Sequence, residues 1–143
     1  MPRREVSAGG IVYRKLGNNF QIQLIQDRYG KITFAKGKME SGESIEQTAL
    51  REIAEETNII GKIIEPLSII FYNYEHPEHG LVNKEIHYFL VEASQGALKA
   101  QNEEINSVDW FNADNAWMQQ CQNGYDNNIE VLHKALERLG IKL

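Results

Sequence analysis

The segment Ile45 to Thr57 constrains this chain most, because it has to serve two faces at once. Leu50, Ile53, Ala54 and Thr57 recur at i, i+3, i+4 and i+7, the apolar stripe of a helix lying on a core. Glu52, Glu55 and Glu56 stand at i, i+3 and i+4, so three carboxylates share one face, expected opposite the stripe. Like charges this close repel and raise one another's pKa, which does nothing for helix stability. A divalent cation reverses the sign, and a hard all-oxygen set suits Mg²⁺. A solvated acidic face would account for a Glu-Glu pair, but it leaves Gly37, Glu43 and Arg51, at fixed offsets before the cluster, unexplained. Arg51 lies i, i+4 from Glu55 and can pair with Glu43 or with a cluster member. Gly37 lets backbone approach a ligand or metal closely.

The flanking sequence supplies the sheet on which such a helix rests. Val6 to Arg14, with Gly9-Gly10 inside it, reads as a strand that something approaches closely. Gly17-Asn18-Asn19 turns the chain into a second strand, Phe20 to Gln26, and Tyr29-Gly30 turns it into a short one, Lys31 to Ala35. Lys36 to Ser44 reads as a loop. Ile63 to Tyr74 is a strand region broken at Pro66, and His76 to Gly80 is a hairpin tip. The return strand, Glu85 to Ala93, alternates Ile86, Tyr88 and Leu90 with His87, Phe89 and Val91; apolar on both faces, it is expected to be central. Ile105 to Phe111 is a further strand. Ala113 to Gln120 begins a helical segment, and Ile129, Leu132, Leu136 and Leu139 mark a closing helix.

Composition narrows the function. The 143 residues carry 20 Asp+Glu against 15 Lys+Arg, a formal net charge of -5. That balance disfavours a non-specific nucleic-acid coat, which needs a Lys/Arg footprint, and charge-driven binding to anionic membranes. No apolar run approaches the roughly 18 residues of a membrane span, and the first residues lack the apolar run of a signal peptide. The one cysteine, Cys121, excludes an intrachain disulfide. It suits a reducing cytoplasm and is expected to be buried and inert.

Taken together, Gly37-x5-Glu43-x7-Arg51-Glu52-Ile53-x-Glu55-Glu56-x-Asn58-Ile59 resembles the Nudix box, G-x5-E-x7-R-E-U-x-E-E-x-G-U with U aliphatic. Only the last glycine differs. It is Asn58 here, and Asn tolerates the left-handed conformation better than most residues. The resemblance implies an α+β fold, an α/β/α sandwich around a mixed β-sheet, with the box as a loop-helix-loop in a single domain over residues 1–143. It implies hydrolysis of a nucleoside diphosphate linked to another moiety, with Mg²⁺ or Mn²⁺ as cofactor. Glu52, Glu55, Glu56 and the carbonyl of Gly37 are then metal ligands, and one carboxylate orients or deprotonates the attacking water. Arg51 and Glu43 become the supporting ion pair.

Outside the box the chain is similar to the dinucleoside-polyphosphate hydrolases and the related diphosphoinositol-polyphosphate enzymes. Ser7 to Tyr13, Lys36-Gly37, Lys84-x-Ile86-x-Tyr88-Phe89-Leu90 and Glu104-x5-Trp110 carry that similarity. It departs from them at Ile32-x-x-Ala35, where Trp and Pro are usual, and at Ile105, where His is usual. Glu104 is expected to add a carboxylate to the metals or to act as base. Lys36, Lys38 and Lys84 are expected phosphate contacts. Tyr88 either stacks on a base or fills the core, and Tyr72 and Tyr74 have no assigned role. His76 and His79 straddle a hairpin tip and read as surface rather than as zinc ligands. The small-molecule substrate expected is a dinucleoside polyphosphate such as diadenosine tetraphosphate. The alternatives are a nucleoside triphosphate, ADP-ribose, capped RNA or an inositol pyrophosphate, or a non-catalytic module that senses a nucleotide. The oligomeric state is not legible.

Overall fold

A computed structural model describes residues 2–142. The elements are β1 (Arg3–Leu16), β2 (Asn19–Asp27), β3 (Ile32–Thr33), β4 (Lys36–Lys38), α1 (Ile45–Thr57), β5 (Ile60–His76), β6 (Gly80–Gln95), β7 (Ile105–Asn112), α2 (Ala113–Asn123), a 3-10 turn (Asp126–Asn128) and α3 (Ile129–Arg138). The strands form one mixed sheet in the order β3-β2-β1-β6-β5, with β4 paired to β1 and β7 to β2. β6 is central, as its two apolar faces require: it runs parallel to β1 and antiparallel to β5.

Alternation along the strands divides the core into two layers. Ile11, Tyr13, Tyr88 and Leu90 pack on one side with Val131, Leu132, Ala135 and Leu136 of α3. Ala8, Val12, Phe89 and Val91 pack on the other with Ala49 and Ile53 of α1. The result is the α+β sandwich expected, helix layers on both sides of a mixed sheet.

Several local expectations are corrected. Only Ile32–Thr33 of the short third segment pairs as a strand. Lys36–Lys38, expected as loop, is β4, held antiparallel to Ser7, Ala8 and Gly9. Glycine is obligatory at position 9, since a Cβ there would run into the Ala35 carbonyl and Lys36. Pro66 does not interrupt β5. The strand lies at the sheet edge, where a missing N–H is tolerated, and the pairing shifts register around Pro66 instead. Cys121 is exposed, not buried. The inward face of α2 is Ala113, Ala116 and Gln120, and Cys121 follows Gln120 by a single residue, which turns it out to solvent.

Helix α1 differs most from expectation. Its buried positions are Thr48, Ala49, Ile53 and Thr57, while Leu50 and Ala54 are only partly covered. Glu52 and Glu56 follow Ala49 and Ile53 at i+3, so these two carboxylates border the buried stripe instead of opposing it. Only Glu55 of the three is exposed.

Candidate active site

Local interactions fix α1 at both ends. Ser44 is the N-cap, and its reciprocal hydrogen bonds with Gln47 form a capping box. At the other end Asn58 takes φ 65°, the left-handed conformation that the glycine of the resembled pattern would adopt. Gln23 of β2 donates to Thr57 Oγ1 at 3.1 Å, a buried contact that sets the helix against the sheet. The chain before β7 is tied to the helix C-terminus: Lys99 N–H donates to Thr57 O, Gln101 N–H to Glu56 O, and the Gln101 side chain to Ala54 O. These bonds bring Glu104 beside α1, 48 positions beyond Glu56 in the chain.

Arg51 is the hub of the box. Its Nε and Nη2 meet Glu43 at 2.6 and 3.0 Å, a bidentate pair, and Thr48 also donates to Glu43. This pairing holds the Glu43 carboxyl down at about 2. Nη1 of Arg51 reaches Glu52 at 2.7 Å and Glu55 at 3.1 Å, and Nη2 donates to the Lys38 carbonyl at 2.9 Å. Arg51 therefore joins the loop, β4 and the carboxylate row.

Glu56 and Glu52 sit on the inner side of that row. Burial, and secondly the charge of Glu52, push Glu56 up to about 8, although the Lys36 N–H donates to it. Burial also raises Glu52 in spite of its bond to Arg51. A Cβ at position 37 would fall inside the Glu52 carboxylate, so Gly37 is required by close approach. Among the described residues no three Asp, Glu, His or Cys side chains converge closely enough to hold an ion as they stand. Arg51 lies between Glu52 and Glu55 instead. The donor set still fits a hard divalent cation: it is all carboxylate and carbonyl, and half-buried, so its charge is disfavoured without a counterion.

The carboxylates open into a cleft. Glu56, Glu104 and Lys36 line one end with Asp27, Arg28 and Tyr29. A second cavity of about 460 Å³ continues from Asp27, Tyr29, Thr33 and Lys36 to Tyr72, Tyr125 and Asn127. That volume lies within the roughly 300–1,000 Å³ of small-ligand sites. Burial lowers the pKa of Lys36, with Glu56 opposing. Tyr88 reaches this cavity but is 1% exposed and packs edge-on against Phe34. Its ring is thus packed as a core residue. Lys38 and Lys84 line neither cavity; they pair with Glu5 on the neighbouring sheet face. Trp110, whose spacing pointed to Glu104, is absent from the cleft lining and packs under the Arg14 guanidinium at 4.6 Å. His76 and His79 stack at the exposed hairpin tip, with ring centroids 4.5 Å apart.

Sequence reasoning missed Asp27, Tyr29, Tyr125 and Asn127. Tyr125 donates to Asp27, which also accepts from the backbone of Tyr29 and Lys31. Burial opposes ionisation of Asp27, yet these donors hold its carboxyl below the usual range. A bond across 98 positions leaves no local trace in the sequence. The turn composition of residues 124–128 was the only available signal.

A family model described as the NUDIX domain matches residues 3–134. MutT4 of Mycobacterium tuberculosis is 34% identical over 113 residues, 74% of this chain and 45% of its own length. Nudix hydrolase 4 of Arabidopsis thaliana is 31% identical over 104 residues, 72% of this chain and 48% of its own. The chain thus spans about half the length of these curated relatives. Among solved structures, a binary complex of the C. elegans Ap4A hydrolase superposes with a TM-score of 0.75 at 24% identity, covering 95% of this chain and 98% of that one. The NUDIX domain of Shewanella oneidensis NrtR, complexed with ADP ribose, superposes at 0.74 and 21%, covering 97% and 90%. At those identities the superpositions speak for the fold alone. The match over residues 3–134, with a box complete except for Asn58, carries the conclusion: this chain belongs to the Nudix hydrolase family.

Proposed function

We propose that this chain is a divalent-metal-dependent pyrophosphohydrolase that cleaves a nucleoside diphosphate linked to another moiety, with a dinucleoside polyphosphate such as diadenosine tetraphosphate as substrate. The observation that carries the reading is the continuity of the cleft. Half-buried Glu56 and exposed Glu104 lie at one end, Lys36 and Tyr29 at the waist, and Tyr72, Tyr125 and Asn127 at the other. Flat aromatic and amide groups suit a nucleobase. A cation at the waist suits the phosphates joined to it.

In this reading Glu52, Glu55, Glu56 and the Gly37 carbonyl hold Mg²⁺ or Mn²⁺, with Glu104 supplying a further carboxylate. Bound there, the cation neutralises phosphate charge and makes water a better nucleophile at neutral pH. The rest falls to the chain itself. Arg51, fixed by Glu43, holds Glu52 in one rotamer. Glu56 or Glu104 orients the water and takes its proton as the new P–O bond forms, while the leaving phosphate carries away the electron pair of the broken one. Lys36, Lys38 and Lys84 place the phosphate chain.

A substrate panel tests the reading: diadenosine tetraphosphate, ADP-ribose, a nucleoside triphosphate, a capped RNA and an inositol pyrophosphate, each with Mg²⁺ or Mn²⁺ and with chelator. Diadenosine tetraphosphate is expected to give the highest kcat/KM, with two nucleotides as products and no turnover in chelator. Preferential cleavage of another member would reassign the substrate. Nucleotide binding without cleavage of any member would make the chain a sensing module.

A further inference from the structure

The sheet face that runs out from the cleft at Tyr72, Ile86 and Tyr88 carries a charge pattern that the proposed chemistry leaves unexplained. Strand pairing sets three rows side by side. The first joins Tyr72, Lys84 and Glu5; the second joins Ile70, Ile86, Ser7 and Lys38; the third joins Ser68, Tyr88, Gly9 and Lys36. Residues paired across strands share a face, so Lys36, Lys38 and Lys84 surround Glu5 and Ser7. Glu5 lies within 3.5 Å of Lys38 and 3.2 Å of Lys84, and its side chain is 13% exposed. Tyr74 donates at 2.7 Å to Glu5 Oε2, the oxygen that Lys38 also approaches.

The same rows hold unmet polar groups. Two buried hydroxyls on them, Ser7 Oγ and Tyr88 OH, lack a hydrogen-bond partner. Lys84 meets Glu5 Oε1 at 3.2 Å. Ser7 and Tyr88 are each 1% exposed. Buried polar oxygens are normally satisfied, and these two hydroxyls lie under the lysine-carboxylate cluster rather than in it. Glu5 already neutralises two of those lysines, and an anionic occupant has to compete with it.

We propose that Glu5 is a specificity-determining residue, an internal anion that positions Lys38 and Lys84 and that only a polyphosphate chain, not a single phosphate, displaces. The proposal rests on the reading of the cleft as a phosphate-ester site. A lone phosphate on Lys36 leaves the Glu5 pairs intact. A chain of three phosphates extends over the rows and takes Lys38 and Lys84 from Glu5. Glu5 thus weakens binding of the chain while keeping its two lysines ordered for it.

The test is calorimetric titration of the full chain with inorganic tripolyphosphate and with orthophosphate, in Mg²⁺ buffer, alongside urea denaturation to verify folding. Glu5→Gln is expected to tighten tripolyphosphate by about fivefold, the scale of one partly exposed ion pair, and to leave orthophosphate within about twofold. Tyr74→Phe removes a donor from Glu5 and leaves that carboxylate more dependent on the lysines. It is expected to weaken tripolyphosphate by about twofold. These opposite signs separate the charge of Glu5 from general loosening, which would weaken binding in both variants. Tripolyphosphate binding no tighter in Glu5→Gln, equal shifts for both probes, or no tripolyphosphate binding by the unmodified chain would each overturn the proposal. If Glu5→Gln does not fold, Tyr74→Phe decides: unchanged or tighter tripolyphosphate binding overturns it. Neither probe requires turnover. A chain that binds as expected but cleaves no nucleotide would lose the proposed activity and keep this assignment.

Discussion

Glu56 concentrates the tension in this molecule. Its pKa rises from an ordinary 4.5 to about 8, because burial and Glu52 both disfavour its charge. Between those values the folded chain holds a proton that the unfolded chain has released. This group therefore favours the metal-free fold fully below about pH 4.5 and loses that contribution as pH rises through about 8. Glu56→Gln should flatten that dependence, so that in chelator the variant gains Tm over the unmodified chain at pH 9 but not at pH 4. Mg²⁺ should raise Tm of the unmodified chain more at pH 9 than at pH 5, since the cation takes the place of the proton. Equal pH profiles in chelator would contradict the origin assigned to the shift. Gly37 is constrained by packing rather than by charge. Gly37→Ala thrusts a methyl group into the Glu52 carboxylate, and displacing this proposed ligand should cost about 100-fold in kcat with the circular dichroism spectrum unchanged.

At the scale of elements, α1 explains how the site is held and how far it could be read in advance. Asn58 closes the helix at φ 65° and donates its side chain to Ala97 O. Asn58→Ala should cost about 1 kcal/mol in urea denaturation, whereas Asn58→Gly should stay within about 0.5 kcal/mol, because glycine alone adopts that conformation freely. The helix and its carboxylate spacing were legible because a 3.6-residue period is a local property. β6 was legible for the same reason, by its alternation. β4 was not, because Lys36-Gly37-Lys38 has no apolar pattern and pairs only where Gly9 leaves room. The orientation of the carboxylates was misjudged because Thr48, polar by type, and Ala49 are fully buried while Leu50 and Ala54 are only partly covered, which rotates the true stripe toward Glu52 and Glu56. The far wall of the cleft was illegible altogether, since Tyr125 and Asp27 meet only through the tertiary fold.

For the whole molecule, the sheet separates two cores and the cleft opens at its rim. Ile11 and Ile53 lie in different layers. Ile11→Val and Ile53→Val should each cost about 1 kcal/mol and should add within about 0.5 kcal/mol in the double variant. Strong coupling in urea denaturation would argue against a sheet that insulates one layer from the other. The net charge of -5 also takes on meaning at this scale. Glu56 and Glu104 line the cleft with Glu52 and Glu55 on the same helix row beside it, and divalent cations bound there would turn that region from repelling phosphate to attracting it. In the proposed reaction the α1 carboxylates drive attack of water on phosphorus. The direct measurement is hydrolysis of diadenosine tetraphosphate with Mg²⁺ in ¹⁸O-labelled water, by the unmodified chain and by Glu56→Gln, with mass spectrometry of the products. The predicted result is label in one product phosphate and a rate at least about 100-fold lower in the variant. Equal rates in the two proteins, or products whose phosphates carry no label, would contradict it.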